Sequence, residues 1–152
     1  MAAIGRGAAL AVLALPLALG PAGAAEVEFL AGPERSGPAL PFSEAVRVGD
    51  MLYLSGQLGT LPGTLQLAPG GIAGEARQAL ENVRSVLERH GATLEDVVKC
   101  TVMIDDIDEW DAFNAVYVTF FPGPKPARSA FGAEGLALGA AVELECWAHD
   151  GD

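Results

Sequence analysis

The sequence has few of the residues that metal sites and nucleic-acid surfaces require. Its 152 residues include two cysteines, two histidines and nine basic residues against twenty acidic ones, a formal net charge of −11. Cys100 and Cys146 lack the short spacing of a zinc site, and His90 and His149 form no helical pair, so no bound metal is expected. Nucleic-acid binding needs clustered Lys and Arg, and here the basic residues are scattered, which argues against a nuclease.

Charge is also scarce in the first 24 residues, where Arg6 stands alone before an apolar run from Ala8 to Leu19. Small residues at Ala22-Gly23-Ala24 complete the pattern of a secretory signal peptide. The run is too short to span a bilayer, which needs about 20 apolar residues, so we expect no stable membrane association. The pattern predicts a signal peptide at 1–24, cleaved after Ala24, and an exported domain at 25–152, periplasmic or secreted. An uncleaved anchor and a misassigned start are the alternatives.

Hydrophobic periodicity predicts two helices. The first ends at Gly91 and buries one apolar face, while Glu75 is predicted to lie on its outer side. The apolar face comprises Ala76, Ala79, Leu80, Val83, Val86 and Leu87. The second helix carries an aromatic stripe between the capping residue Asp106 and Pro122.

Alternation of apolar and polar residues predicts strands at 98–104 and 142–149, with shorter strands at 27–31, 45–48, 51–55 and 127–133. Residues 59–74 are rich in Gly and Pro and predict a surface loop. The order is ββαβαββ after a short leading strand, so two helices must cover one face of a single sheet in an α+β fold. The other face is too apolar for solvent alone and predicts an oligomer interface. It carries Lys99, Thr101, Met103, Glu143, Glu145 and Trp147.

Two places in the carboxyl-terminal third could carry chemistry. Arg128 leaves a Pro-stiffened loop, where a guanidinium can clamp a carboxylate with two hydrogen bonds or form an ordinary surface ion pair. Glu143 and Glu145 share a strand face at ~7 Å spacing. Where water is scarce, repulsion between two carboxylates at this distance raises the pKa of at least one of them. A carboxylate with a raised pKa can take a proton from water. The alternative is a pair of solvated glutamates.

Other polar residues are weaker candidates. Ser55 ends a strand, where its hydroxyl could line a pocket or simply lead into a loop, and Asn114 interrupts the polar flank of the aromatic helix. Cys100 and Cys146 both lie on apolar strand faces. They are either buried small hydrophobes or a disulfide, and the sequence leaves this open.

Four sequence blocks occur together in a fixed order. They are Met51 to Gln57, Glu75 to Val83, Asn114 to Tyr117 before two phenylalanines, and Pro126-Ala127-Arg128-Ser129 followed by Val142-Glu143-Leu144-Glu145. In these blocks, and over about Pro41 to Ala148, the sequence resembles the Rid family, also called YjgF, the reactive-intermediate deaminases. The resemblance implies a chorismate-mutase-like homotrimer with sites at subunit interfaces and without metal or organic cofactor.

The resemblance also implies an activity and a site. Rid proteins hydrolyse reactive 2-imino and enamine acids, such as 2-aminoacrylate-type intermediates, to 2-keto acids and ammonia. Arg128 matches the arginine that holds the substrate carboxylate, and Glu143 matches the glutamate that positions the attacking water. Ser55 and Asn114 match pocket residues.

Two pocket positions depart from the family pattern. Phe42 stands where many relatives have a tyrosine, and Ala130 stands where well-studied relatives have a cysteine, which puts substrate choice and rate in question. A non-catalytic trimer that binds small ligands or protein clients is the alternative function. The endoribonuclease activity attached to some relatives conflicts with the acidic charge.

Overall fold

The computed structural model describes residues 23–33 and 40–151. Residues 1–22 of the predicted signal peptide, and 34–39 of the connector that follows the first strand, lie outside the described residues. The elements, in chain order, are β1 (Val27–Leu30), β2 (Ala45–Val48), β3 (Met51–Leu54), β4 (Gln57–Leu58), α1 (Gly71–Arg89), β5 (Val97–Ile104), α2 (Trp110–Phe120), β6 (Ala127–Gly132) and β7 (Val142–His149).

All seven strands form one sheet in the order β1-β2-β3-β7-β5-β6, with β4 pairing with β7 beside β3. Only β5 and β6 run parallel, and α2 is the crossover that connects them. The other pairs are antiparallel. This confirms the predicted α+β fold with a single mixed sheet.

Both helices cover the same face of this sheet, which we call the covered face. Alternate residues of β5 and β7 point into it, and the apolar stripe of α1 packs on them, because a pleated strand sends every second side chain to the same side. The largest fully buried side chains in the core are Phe113, Leu52, Leu80, Leu87, Ile104 and Leu144. The opposite, open face has no helix over it among the described elements.

The segment predicted as a loop at 59–74 is more ordered than expected. Helix α1 begins at Gly71, and an isolated bridge joins Thr60 to Leu67. Glu75, predicted to face outward, is instead buried, and its Oε2 accepts a hydrogen bond from the backbone N–H of Ala141 at 2.8 Å. This hydrogen bond allows the carboxylate to be buried. Periodicity could not indicate it, because the partner lies 66 residues away in sequence.

Cys100 and Cys146 form a disulfide, which the sequence had left open. They are direct partners in the β5–β7 register, with Cα atoms 4.1 Å apart, and both are fully buried on the covered face. The bond therefore joins the two central strands of the sheet beneath the helices.

Two kinds of feature are absent from the described ranges. None of the helices between residues 23 and 151 is both long and apolar enough to cross a membrane. In the same part of the chain, no three His, Cys, Asp or Glu side chains come together as a group that could hold a metal ion.

Candidate active site

Arg128 lies on β6 with its side chain on the covered face, beneath α2. Its guanidinium carbon lies 4.7 Å from the ring centre of Tyr117, 4.9 Å from that of Trp110 and 5.7 Å from that of Phe113. Within the described ranges, no carboxylate or carbonyl pairs with the guanidinium. Three aromatic faces hold the cation without neutralising it, so its N–H donors remain available to an anionic ligand.

A pocket of about 300 Å³ opens beside this guanidinium, between the carboxyl-terminal half of α2 and the loop that leads into β6. Its lining residues are Asn114, Tyr117, Val118, Lys125, Pro126 and Arg128. The structure therefore brings together Arg128 and Asn114, two of the residues predicted from the sequence. It adds Lys125 and Tyr117, which the sequence analysis did not identify as candidates.

Tyr117 supplies a buried wall of this pocket. Burial raises the pKa of its phenol to about 12, and the positive charge of Arg128 acts in the opposite direction. Its hydroxyl has no hydrogen-bond partner among the described residues. The phenol stays neutral at physiological pH and does not compete with an anionic ligand for Arg128.

Glu143 lies on β7 and projects from the open face. It lies directly against Gly56, since a Cβ built on that glycine would collide with the glutamate's carboxylate oxygen. Burial, followed by the nearby charge of Glu145, raises the pKa of Glu143. Glu145 is tied to its own strand, because its Oε1 accepts a hydrogen bond from Nε1 of Trp147 at 2.8 Å. A raised pKa suits the Glu143 carboxylate to accept and release a proton.

The remaining predicted residues lie around these two groups. The Ser55 hydroxyl, next to Gly56, donates to the backbone carbonyl of Ser43 at 2.7 Å. Phe42 is adjacent to that serine and 56% exposed. Ala130 lies two residues beyond Arg128 on the same strand face and packs against the core. Neither Ser55 nor Phe42 lines the Arg128 pocket.

Arg128 and Glu143 lie on opposite faces of the sheet. Arg128 pairs with Cys100 across β6 and β5, whereas Glu143 pairs with Met103 across β7 and β5. Cys100 and Met103 are three positions apart on one strand, so their side chains point to opposite sides. One chain alone therefore does not bring the two predicted catalytic groups together.

Comparison with known proteins gives a consistent result. A family model described as endoribonuclease L-PSP matches residues 33–150. The 2-iminobutanoate/2-iminopropanoate deaminase of Mus musculus is 41% identical over 111 residues, which cover 73% of this chain and 82% of the mouse protein. The human protein of the same name is 40% identical over 111 residues, covering 73% of this chain and 81% of its own length.

Solved structures agree with these relatives. The YjgF gene product from E. coli superposes with a TM-score of 0.73 at 31% identity, covering 80% of this chain and 98% of its own. RidA from an Antarctic Psychrobacter bacterium gives a TM-score of 0.73 at 34% identity, with the same two coverages. The likeness extends over nearly the whole of each solved chain.

The predicted export is wrong. The mouse, rat and human relatives are named 2-iminobutanoate/2-iminopropanoate deaminases, and nothing in the comparisons supports a periplasmic or secreted protein. The prediction depended on one short run of Ala and Leu after a single arginine. This short run carries less information about localisation than the match of more than a hundred residues of the domain.

Proposed function

The chain belongs to the Rid family of imine deaminases, and we propose that it hydrolyses 2-imino and enamine acids at sites that neighbouring subunits form together. Deaminase relatives about 40% identical over most of their length support the reaction. The observation that carries the composite site is the separation of Arg128 and Glu143 on the two faces of the sheet. Each face supplies half of the required chemistry, so a second chain has to bring the other half.

In the proposed site, Arg128 binds the substrate carboxylate. The guanidinium is held by aromatic faces and has no carboxylate partner among the described residues, so a carboxylate can take two parallel hydrogen bonds from it. Asn114 lines the same pocket and can hydrogen-bond the substrate's polar groups. This clamp fixes the imine carbon in one orientation, which lowers the entropic part of the barrier.

Glu143 of the adjoining subunit then acts on water. The carboxylate accepts a proton as the water oxygen attacks the imine carbon, and the carbon–nitrogen double bond becomes a single bond. The same proton passes to nitrogen and gives a carbinolamine. Glu143 then transfers the hydroxyl proton of this intermediate to the amino group, the remaining carbon–nitrogen bond breaks as the carbonyl forms, and ammonia leaves with a 2-keto acid behind. Enamines first tautomerise to imines. No oxidation state changes, so we propose that neither metal nor organic cofactor takes part.

The open face supports a homotrimer, the assembly that the family resemblance implies. Large apolar side chains are exposed on it, including Phe29 (76%), Phe131 (50%) and Trp147 (38%). An apolar sheet face of this kind is stabilised by burial against another chain. The same burial removes more water from Glu143 and raises its pKa further.

Two substitutions in the proposed site affect its chemistry. Phe42 cannot donate a hydrogen bond, and Ala130 carries no thiol, so neither contributes to proton transfer. We propose that Arg128, Asn114 and Glu143 are sufficient for an imine that already hydrolyses readily in water, with Ser55 shaping the backbone beside Glu143.

The test is to trap imines in competition with the protein. An amino-acid oxidase generates the 2-imino acid in the presence of semicarbazide, and the yield of semicarbazone is measured with and without the protein. Hydrolysis lowers the trapped yield in proportion to the amount of protein. An unchanged yield would indicate a non-catalytic binding trimer instead.

Ribonuclease activity, named in the description of the family model, is not supported by the charge distribution. Among the described basic residues, Arg47, Arg84 and Arg89 form ion pairs with carboxylates. The chain as a whole carries a net charge of −11. Such a surface repels a polyphosphate backbone.

A further inference from the structure

Lys125 places a second cation in the pocket that contains Arg128. It lies three residues before Arg128, in the loop that connects α2 to β6, and lines the pocket together with Asn114. Its Nζ donates to the backbone carbonyls of Phe121 and of Gly123, the latter at 3.1 Å. These two bonds fix the ammonium at the end of α2, and they leave its third N–H free.

The charge of this pocket contrasts with that of the whole chain. Acidic residues outnumber basic ones by twenty to nine. The pocket lining nevertheless contains Arg128 and Lys125 and no carboxylate. The carboxyl end of α2 also lies beside Lys125, and its partial negative charge favours an ammonium at this position.

We propose that Lys125 binds a second anionic group of the substrate and that the site therefore prefers 2-imino dicarboxylates to 2-imino monocarboxylates. The inference rests on the proposed function, in which Arg128 holds the carboxylate next to the imine. A four- or five-carbon dicarboxylate has its second carboxylate on the far end of the chain, and Lys125 is the only other cation in the lining. The pocket, at about 300 Å³, has room for a molecule of that size.

The alternative role for Lys125 is a purely structural one, in which the ammonium does no more than cap the last carbonyls of α2. That role predicts an effect on stability and an equal effect on all substrates. Binding of a second carboxylate predicts an effect on the ratio between substrates. The ratio is therefore the quantity to measure.

The experiment compares 2-iminoglutarate, generated by glutamate oxidase, with 2-iminobutanoate, generated by an amino-acid oxidase, at low ionic strength. Lys125→Met keeps an unbranched side chain that is one atom shorter and removes its charge. The kcat/KM ratio of dicarboxylate to monocarboxylate is expected to fall about fivefold, the upper range for a solvent-exposed ion pair. Arg77→Met, which removes a positive charge from the exposed side of α1, is the control and keeps the wild-type ratio.

A binding measurement separates this inference from the proposed function. The stable products 2-oxoglutarate and 2-oxobutanoate are titrated calorimetrically into wild-type protein and into Lys125→Met. Tighter binding of 2-oxoglutarate by the wild type, lost in Lys125→Met, supports the inference even if no imine is hydrolysed. Equal binding of the two keto acids, or an unchanged kcat/KM ratio in Lys125→Met, overturns it, while hydrolysis of 2-iminobutanoate alone leaves the proposed function standing.

Discussion

The two faces of the sheet hold their charged groups in different ways. On the covered face, Arg128 is surrounded by aromatic rings of α2 and keeps a full charge in a small pocket. On the open face, Glu143 lies against the backbone at Gly56 beside a second carboxylate, and its pKa is raised. The first arrangement favours a permanent charge that binds, and the second favours a group that gains and loses a proton.

This difference leads to the prediction that activity depends on assembly. In each chain the sheet lies between Arg128, the proposed carboxylate-binding residue, and Glu143, the proposed proton acceptor. Neither face alone therefore has both groups. The open face has both Glu143, the proposed proton acceptor, and an exposed apolar surface. We therefore expect association of chains to stabilise the open face and to complete the proposed site in the same step.

The largest effect on activity is expected from substitution of Arg128 on the covered face. Arg128→Ala is expected to lower kcat/KM about 10²- to 10³-fold, because charge-assisted hydrogen bonds to the substrate carboxylate are lost. Arg128→Lys does not restore the activity, since an ammonium cannot present a planar pair of donors. The oxidase-coupled trapping assay gives the rates, and light scattering with circular dichroism checks that the assembly persists. Full activity of Arg128→Ala on 2-imino acids would refute the site.

The open face can be tested separately from the clamp. Trp147→Lys places an ammonium on the apolar open face, where burial against a partner chain costs several kcal/mol. The expected result is a folded chain of one subunit mass in light scattering, with no deaminase activity. Leu65→Lys changes another exposed apolar residue, in the segment between β4 and α1, and is expected to keep the assembly and the activity. An active monomer of Trp147→Lys would contradict the composite site.

A smaller effect, on the pH dependence of the activity, tests whether Glu143 rather than Glu145 is the proton acceptor. Glu145→Gln removes the like charge that helps to raise the pKa of Glu143, so that pKa falls while burial still holds it up. The general base must be ionised, and the acidic limb of the profile of kcat/KM against pH therefore moves to lower pH. The rate near pH 7 changes little. If Glu145→Gln were as damaging as Glu143→Gln, the water-holding glutamate would be misassigned.

The sequence predicted the elements that have a strong local period. The alternation in β5 and β7 and the stripe of α1 depend only on neighbouring residues, and the structure confirms them. Glu75 was misplaced because its hydrogen-bond partner, the N–H of Ala141, comes from a distant part of the chain. The localisation was wrongly predicted for the opposite reason, since it depended on a short local pattern without support from the rest of the chain.

The site was predicted only in part for the same physical reason. The family blocks predicted Arg128 and Glu143 as site residues, but whether two residues on different strands share a face depends on register, which is set by long-range pairing. The pairing of Cys100 with Cys146 depends on the same register. Lys125 lies in a short loop without periodicity, and its place in the pocket follows from its hydrogen bonds to the carbonyls of Phe121 and Gly123 at the end of α2.

The most direct test of the composite site is complementation between two inactive variants. Arg128→Ala and Glu143→Gln are prepared separately, shown to be inactive, and then mixed in equal amounts under conditions that allow the subunits to exchange. No chain in the mixture has both groups. In a site formed by two neighbouring chains, each chain carries the group it has to supply in about half of the cases, so about a quarter of the sites have both Arg128 and Glu143. We predict that about a quarter of the wild-type activity returns. A mixture that exchanges subunits and stays inactive would contradict the account.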